Sequence, residues 1–358
     1  MTNDLQLSSG YSAVRTNAAI LSRNSRGLLE LTGDDRAKWL NNLVTNVITT
    51  LQPGEGNYAF VVNIKGRVQF DLNMLVRPDR LLLDIDTRWI AAAEKFLNRY
   101  IITEKVEIQD VSAGTCRMAV IGPRAHETVA KLGIGNLTPM AWLQNTECRI
   151  YGTAGIMFRN DFTGRPGAEF ILFGTDRDSA REHIVKAARD CGAIEIDPAV
   201  AGILRIESGI PAGVDDIDEE VIPPETGQIE RGISYHKGCY LGQEVIERMR
   251  SHKILARKLV GVKFEMPGPG SGGESSGDAG SNAAARMVGG PMPRLTKLFI
   301  NDAEVGRTMS GCVSPGLGGA PLSLAYIKTA HANPGTAVIA RNETGEYRGS
   351  LIALPIQA

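Results

Sequence analysis

Residues 57–86 read NYAFVVNIKGRVQFDLNMLVRPDRLLLDID, three apolar-rich runs cut by the turn signals Lys65-Gly66 and Pro78-Asp79. Gly and Pro punctuate the chain because one tolerates positive φ and the other cannot continue a ladder, so Asn57 to Ile64, Arg67 to Val76 and Arg80 to Asp86 are expected as strands joined by hairpins. Upstream, RGLLEL at 26–31 predicts a further strand. Gly33-Asp34-Asp35 then opens a helix whose Trp39, Leu40, Leu43, Val44 and Val47 form an apolar stripe. Downstream, a helix over Thr87 to Tyr100 buries Trp89, Ile90, Ala93, Phe96 and Leu97, and Lys105 to Gln109 closes the unit as a strand. The residues before Arg26 are expected to be mobile.

The same order of elements recurs, with little residue identity. Cys116 to Ile121 reads as a strand and Pro123 to Leu132 as a helix. Glu147 to Tyr151, Gly155 to Arg159 and Ala168 to Gly174 are extended, Asp176 to Cys191 is a helix, and Ala193 to Ile196 is a short strand. Each β-α-β-β-β-α-β unit can bury one sheet face under two helices, as in split β-α-β folds. The expected fold class is therefore α+β with two lobes, and a pocket is expected at their junction.

Asp197-Pro198 is a helix start, and the helix stops at Gly209. Residues 210–233, rich in Pro, Gly and acids, form a long loop into the run Ile233-Ser234-Tyr235-His236-Lys237-Gly238-Cys239-Tyr240-Leu241-Gly242-Gln243-Glu244. A helix follows to about His252. Beyond it, short extended runs between Gly and Pro turns predict a C-terminal β-barrel, interrupted by a flexible Gly- and Ser-rich insertion. The expected domains are 1–110, 111–252 with the cysteine motif, and 253–358 with the insertion at 267–293.

At 358 residues, 43% hydrophobic and 22% charged, the chain has the composition of an ordinary globular protein, so neither disorder nor a fibrous repeat is expected. A net charge of -1 argues against a whole-protein field for nucleic acid or an anionic membrane. Arg248, Arg250, Lys253, Arg257 and Lys258 form a local basic cluster, read as a solvated surface in preference to an RNA-binding face. The first residues lack a basic n-region and an apolar h-region, and no run of about 18 apolar residues occurs; a cytoplasmic location without membrane insertion is the expectation. The cysteines at 116, 148, 191, 239 and 312 are widely spaced with no C-x-x-C pair, and the histidines are scattered, so no metal site is expected.

Within the 233–244 run, Lys237, Gly238 and Cys239 precede a helical pattern in which Leu241, Val245, Ile246 and Met249 share one face. A thiol near a helix N-terminus and beside a cation favours thiolate and hence reactivity. The alternative is an inert cysteine, the usual state of a lone one. Asp71, in a strand between Phe70 and Leu72, and Glu169, after the glycine-rich turn 162–168, are candidates to accept N–H groups of a flat heterocycle. An unmatched donor there would be costly, which gives such contacts discrimination. For each, a satisfied structural pair is the competing reading, and Arg205 with Glu207 in 204–209 reads as structural.

At this point a resemblance becomes specific. Ile222-Pro223-Pro224-Glu225, then Ile233-Ser234-Tyr235, then Lys237-Gly238-Cys239-Tyr240-Leu241-Gly242-Gln243-Glu244 resemble the signature of the YgfZ folate-binding family, which is related to the glycine-cleavage T-protein, an aminomethyltransferase, and to mitochondrial iron-sulfur assembly factors. Leu31-Thr32-Gly33-Asp34-Asp35 with Val44-Thr45-Asn46, and Gly306-Arg307-Thr308-Met309-Ser310-Gly311 with Ser314-Pro315, extend the similarity over nearly the whole chain. The resemblance implies a T-protein-like two-lobed folate-binding region followed by a C-terminal β-barrel. It also implies tetrahydrofolate or a derivative as cofactor, held by Asp71, Glu169, Phe162 and Arg205. Cys239 would be the reactive residue, framed by Lys237, Gly238, Tyr240, Gly242, Gln243 and Glu244. Phe162 replaces the tyrosine of T-proteins, a T-protein Asp-Asp pair is reduced to Phe70-Asp71, and Val200-Ala201-Gly202 stands where T-proteins have Ala-Arg-Asp. The implied function is a tetrahydrofolate-binding accessory protein for iron-sulfur cluster assembly or repair, including clusters of tRNA-modifying enzymes, with folate and iron-sulfur proteins or assembly factors as partners. The alternative is an active folate-dependent aminomethyl or one-carbon transferase.

Overall fold

The computed structural model describes residues 2–252, 254–266 and 290–356. The Gly- and Ser-rich insertion expected at 267–293 lies, up to residue 289, outside the described residues. The chain divides into two compact units, one of Met1–Ala201, Ile217–Pro224 and Gln228–Lys253, the other of Gly202–Asp216, Glu225–Gly227 and Ile254–Ala358.

The first unit opens with α1 (Thr2–Thr16) and β1 (Ala19–Ser22). Next come β2 (Arg26–Thr32), α2 (Arg36–Asn41), β3 (Gly56–Val62), β4 (Val68–Val76), β5 (Leu81–Asp86), α3 (Ile90–Asn98) and β6 (Glu107–Asp110). The second half of the repeat is β7 (Thr115–Ile121), α4 (Ala125–Lys131), β8 (Asn145–Ile150), β9 (Thr153–Arg159), β10 (Gly167–Phe173), α5 (Arg177–Asp190) and β11 (Ile194–Glu195). The first sheet has the order β3-β4-β5-β2-β6, and the second β8-β9-β10-β7-β1-β11. Strand for strand these are one topology used twice, except that β1 enters the second sheet between β7 and β11. It pairs antiparallel with β7 and parallel with β11.

The region before Arg26 was expected to be mobile, and the structure corrects this. Ala18, Ala19, Ile20 and Leu21 are buried, so the AAIL run supplies an inner strand. Its four residues are too short for an alternation to stand out.

Period-2 geometry then sorts the side chains. Phe70, Leu72 and Met74 of β4, with Leu83 and Ile85 of β5, face a core closed by Trp39 and Leu40 of α2 and Phe96 and Leu97 of α3. Met118 and Val120 of β7, with Phe170 and Leu172 of β10, face Val129 of α4 and Ile184 of α5. The alternate positions, Asp71, Asn73, Asp84, Arg117 and Glu169, are therefore turned to the opposite sheet faces, and they too are buried.

The unit continues into α6 (Pro198–Glu207), whose residues from Gly202 onward, together with α7 (Gly213–Asp216), group with the second unit. α8 (Ile229–Gly232) and α9 (Gln243–His252) return to the first. In the second unit, β12 (Arg257–Phe264), β13 (Lys297–Ile300), β14 (Ala303–Ser314), β15 (Ala320–Lys328), β16 (Ala337–Asn342) and β17 (Gly345–Ile352) close into a barrel in the order β12-β15-β14-β13-β16-β17. Closure leaves no unpaired sheet edge, and Val262, Phe264, Leu298, Ile327, Val338 and Leu351 fill the interior. The α+β, two-lobed fold with a C-terminal barrel is as expected.

Candidate functional site

The polar faces of the two sheets meet through a buried ionic network. Arg117 of β7 reaches across to Asp84 of β5, with Nη2 to Oδ1 at 2.7 Å, and donates to the Gly27 carbonyl at 3.2 Å. Arg26 of β2 grips the same carboxylate through Nε at 3.0 Å and Nη2 at 2.9 Å, and Asn73 donates to its Oδ2 at 2.7 Å. Burial pushes the Asp84 carboxyl up, but the guanidiniums of Arg117 and Arg26 outweigh burial and hold it far below the usual carboxylate range. A carboxylate so surrounded is a structural anchor between the lobes.

Glu169 of β10 is as fully engaged. Asn160 donates to Oε1 at 2.8 Å, Arg23 pairs with Oε1 at 3.1 Å, and Arg117 reaches Oε2 at 3.5 Å. The Arg23 guanidinium also lies 3.8 Å above the Phe162 ring centroid, so Phe162 forms a lid on the Glu169 pair.

Asp71 of β4 differs. Tyr58 of β3 donates its hydroxyl to Oδ2 at 2.7 Å, while Oδ1 is buried and accepts no hydrogen bond. Burial raises the Asp71 pKa above the ordinary carboxylate value, and Arg26 and the Tyr58 hydrogen bond only partly offset it. Tyr58, for its part, is pushed well above the usual phenol range by burial and by Asp71. Trp142 lies 6.2 Å from Tyr58 between ring centroids, and its Nε1 donates to Asn160 Oδ1 at 3.2 Å. Two aromatic rings from different lobes thus carry hydrogen-bonded tails that end at Asp71 and, through Asn160, at Glu169.

The cysteine motif is built on the first lobe. The Lys237 ammonium is received by the backbone carbonyls of Asn41, Val44 and Asn46, and burial pushes its pKa down to about 7. Tyr240 is buried and its amide N–H donates to Gln243 Oε1 at 3.2 Å; Leu241 N–H donates to the Asn42 carbonyl at 3.1 Å. Gly242 has φ +77°, and a β-carbon there would sit 2.3 Å from the Asn63 carbonyl oxygen, so no other residue fits. Between these fastenings Gly238 and Cys239 are exposed, as is Glu244 in the first turn of α9. Cys239 stands four residues before Gln243, the first residue of α9. The cation expected beside it, Lys237, points instead into the three carbonyls.

Arg205 belongs to the second unit, where its Nη1 donates to Asp216 Oδ2 at 2.5 Å and its Nη2 to Ser310 Oγ at 2.9 Å. Glu207 there accepts from Ser314 Oγ at 2.5 Å. The structure thus brings Asp71, Glu169 and Phe162 into one network in the first unit, and ties Arg205 elsewhere. Sequence reading missed Tyr58, Asp84, Arg117 and Asn160. For Tyr58, Asp84 and Arg117 the available signal was a polar group alternating with apolar residues in a strand; Asn160 follows β9 and carries no such signal. Among the described residues no group of three or more His, Cys, Asp or Glu is placed to hold a metal ion, and no helix is long and apolar enough to cross a membrane.

Comparison with known proteins places this arrangement. Residues 6–234 match the GCVT N-terminal domain, more than half of the chain. The chain belongs to the GCVT N-terminal domain family. Among relatives of this GCVT-domain chain, an aminomethyltransferase of Caldanaerobacter subterraneus is 28% identical over 264 residues, covering 73% of this chain and 70% of that one. An aminomethyltransferase of Halalkalibacterium halodurans is 23% identical over 348 residues, covering 96% and 88%. The crystal structure of the glycine cleavage system aminomethyltransferase T from Bartonella henselae superimposes with a TM-score of 0.76 at 18% identity, over 98% of this chain and 89% of that one. That likeness establishes the T-protein-like fold.

Proposed function

We propose that this member of the GCVT N-terminal domain family is of the YgfZ type. In this reading it is a cytoplasmic protein that binds tetrahydrofolate or a derivative at its lobe junction and supports assembly or repair of iron-sulfur clusters, including those of tRNA-modifying enzymes. The single observation that carries the ligand is Asp71 Oδ1, a buried carboxylate oxygen with no partner. Leaving such an acceptor dry costs about 1–3 kcal/mol, and a ligand N–H removes that penalty. Folate fits this demand, since it brings N–H donors on a flat heterocycle, and Tyr58, Trp142 and Phe162 offer ring surfaces. When bound, tetrahydrofolate supplies nitrogens able to carry one-carbon units. The chain's own part is to accept an N–H at Asp71, to keep that carboxylate oriented through Tyr58, and to exclude water by burial. Glu169 accepts from Asn160 and Arg23 at Oε1, so Oε2, which Arg117 reaches at 3.5 Å, is the oxygen left to meet a pterin.

The accessory role rests on the cysteine motif. Its fastenings at Lys237, Tyr240 and Gly242 hold an exposed thiol in a fixed loop, a geometry suited to a macromolecular client reaching Cys239 from solvent. Iron-sulfur proteins or assembly factors are the partners in this reading, and neither a membrane nor nucleic acid is required.

A second reading, an aminomethyl or one-carbon transferase, is favoured by the aminomethyltransferase relatives and by the retained Asp71. Titration with tetrahydrofolate under anaerobic conditions, followed by tryptophan fluorescence with Trp142 in the site wall, gives a saturable change in either case. The absence of any saturable signal, there and by calorimetry, refutes both. Transfer of a glycine-derived methylene to folate at rates typical of a T-protein decides for the transferase. Its absence, together with restored iron-sulfur enzyme activity when the gene is returned to a strain lacking it, decides for the accessory role.

A further inference from the structure

Arg231 is a cation of the first unit with no carboxylate partner among the described residues. Its backbone is fixed: the Arg231 carbonyl accepts from Asn46 Nδ2 at 2.9 Å, and the next carbonyl, Gly232, accepts from Thr45 Oγ1 at 2.6 Å. α8 is pressed onto β3 so closely that a β-carbon on Gly232 would lie 2.7 Å from the Phe60 ring. The side chain lies over aromatic rings, with the guanidinium carbon 3.9 Å from the Trp142 centroid and 5.6 Å from that of Tyr58. Of its five N–H donors, one bond is made, from Nη1 to Gln228 Oε1 at 3.0 Å. No carboxylate stands within ion-pair distance of it among the described residues. Burial lowers its pKa, opposed by the fields of Tyr58, Asp161 and Asp71.

Arg231 is half-buried, and a guanidinium partly withdrawn from water is commonly matched by a carboxylate, because taking a charge out of water without a partner is costly. Cation-π contact with two rings restricts the fork, which lowers the entropy lost when it grips a bidentate anion. The same Tyr58 ring carries the hydroxyl bound to Asp71, so the vacant acceptor and the unspent donor fork share a wall.

We propose that Arg231 is a specificity-determining residue that takes a carboxylate of the bound ligand, so that the site selects a folate by its anionic tail as well as by its heterocycle. This inference rests on the folate reading above. A neutral pterin-like compound offers nothing to the fork, and a folate whose tail carboxylates are esterified keeps every other group while losing the anion.

The test is calorimetric titration of the full chain with tetrahydrofolate and with its dimethyl ester, for wild type and for Arg231→Gln. Charge-assisted hydrogen bonds of this kind correspond to a preference of about 10- to 100-fold for the acid in wild type. In Arg231→Gln the acid and the ester are expected to bind alike. An unchanged acid-to-ester ratio in Arg231→Gln overturns the inference while leaving folate binding intact, because a merely structural role would weaken both compounds together. Failure of wild type to bind either compound overturns the folate reading and this inference with it. Should Arg231→Gln not fold, Arg231→Lys is read in the same way: the charge remains but the fork is gone, so the ratio falls several-fold, and a wild-type ratio counts against the proposal.

Discussion

Tyr58 donates its hydroxyl to Asp71 Oδ2 at 2.7 Å from the neighbouring strand, and Asp71 Oδ1 is left buried without a partner. The pair orients a carboxylate whose charge the protein itself does not fully compensate. Its pKa is raised, chiefly by burial.

A carboxyl with a raised folded-state pKa contributes stability that is complete below the ordinary carboxylate value and is lost as pH rises through the folded value. Asp71→Asn removes this titration while keeping an oxygen for Tyr58. The variant is expected to melt above wild type at about pH 7, with the gap closing toward about pH 4, and to lose ligand affinity. Thermal unfolding across that range checks it; a variant less stable than wild type at neutral pH would show that Asp71 is already satisfied.

Asp84 carries the opposite sign. Its pKa is depressed by Arg117 and Arg26 despite burial, so its contribution is present above the ordinary carboxylate value and is lost as pH falls through the depressed one. Asp84→Ala leaves two buried guanidiniums without their anchor, at a cost of about 3–5 kcal/mol. Urea unfolding at neutral pH measures this, and a loss under about 1 kcal/mol would place the pair among ordinary surface bridges.

What could be read from the sequence divides along physical lines. Elements with long alternation or helical stripes, such as β4 and α3, were legible because burial imposes a period. β1 was not: its alternation has no length, and its place between β7 and β11 is set by pairing with strands about a hundred and more residues away. At the site, Asp71 and Glu169 were visible as carboxylates in strands, but their unequal states were not. Glu169 is satisfied by Arg23, Arg117 and Asn160, and Asp71 has an open oxygen, a difference that depends on partners from other strands. The cysteine motif was legible as a motif. The direction of Lys237 was not, since the carbonyl of Asn41 at the end of α2 and those of Val44 and Asn46 in the loop after it decide it.

Lys237→Met keeps the length of the stem and removes the ammonium. It leaves the carbonyls of Asn41, Val44 and Asn46 short of a donor, at about 1–3 kcal/mol per group that stays dry. The loop should loosen locally, so hydrogen exchange of the Leu241 amide, bonded to the Asn42 carbonyl, is expected to speed up well beyond the change in global stability. Exchange at Leu241 that matches wild type would mean that Tyr240 and Gly242 suffice to hold the loop.

Cys239 and Gly242 are expected to separate function from folding. Cys239 is exposed, so Cys239→Ser should change stability by less than about 0.5 kcal/mol. Gly242→Ala forces a β-carbon against the Asn63 carbonyl at positive φ, and should cost about 1–3 kcal/mol. If the thiol acts on an iron-sulfur client, Cys239→Ser abolishes rescue of a strain lacking this protein despite a wild-type melting curve. Gly242→Ala reduces rescue in proportion to the loop it displaces, with the thiol still present. Full rescue by Cys239→Ser returns the cysteine to the inert class and leaves the lobe junction, with Asp71 and Arg231, as the seat of whatever activity remains.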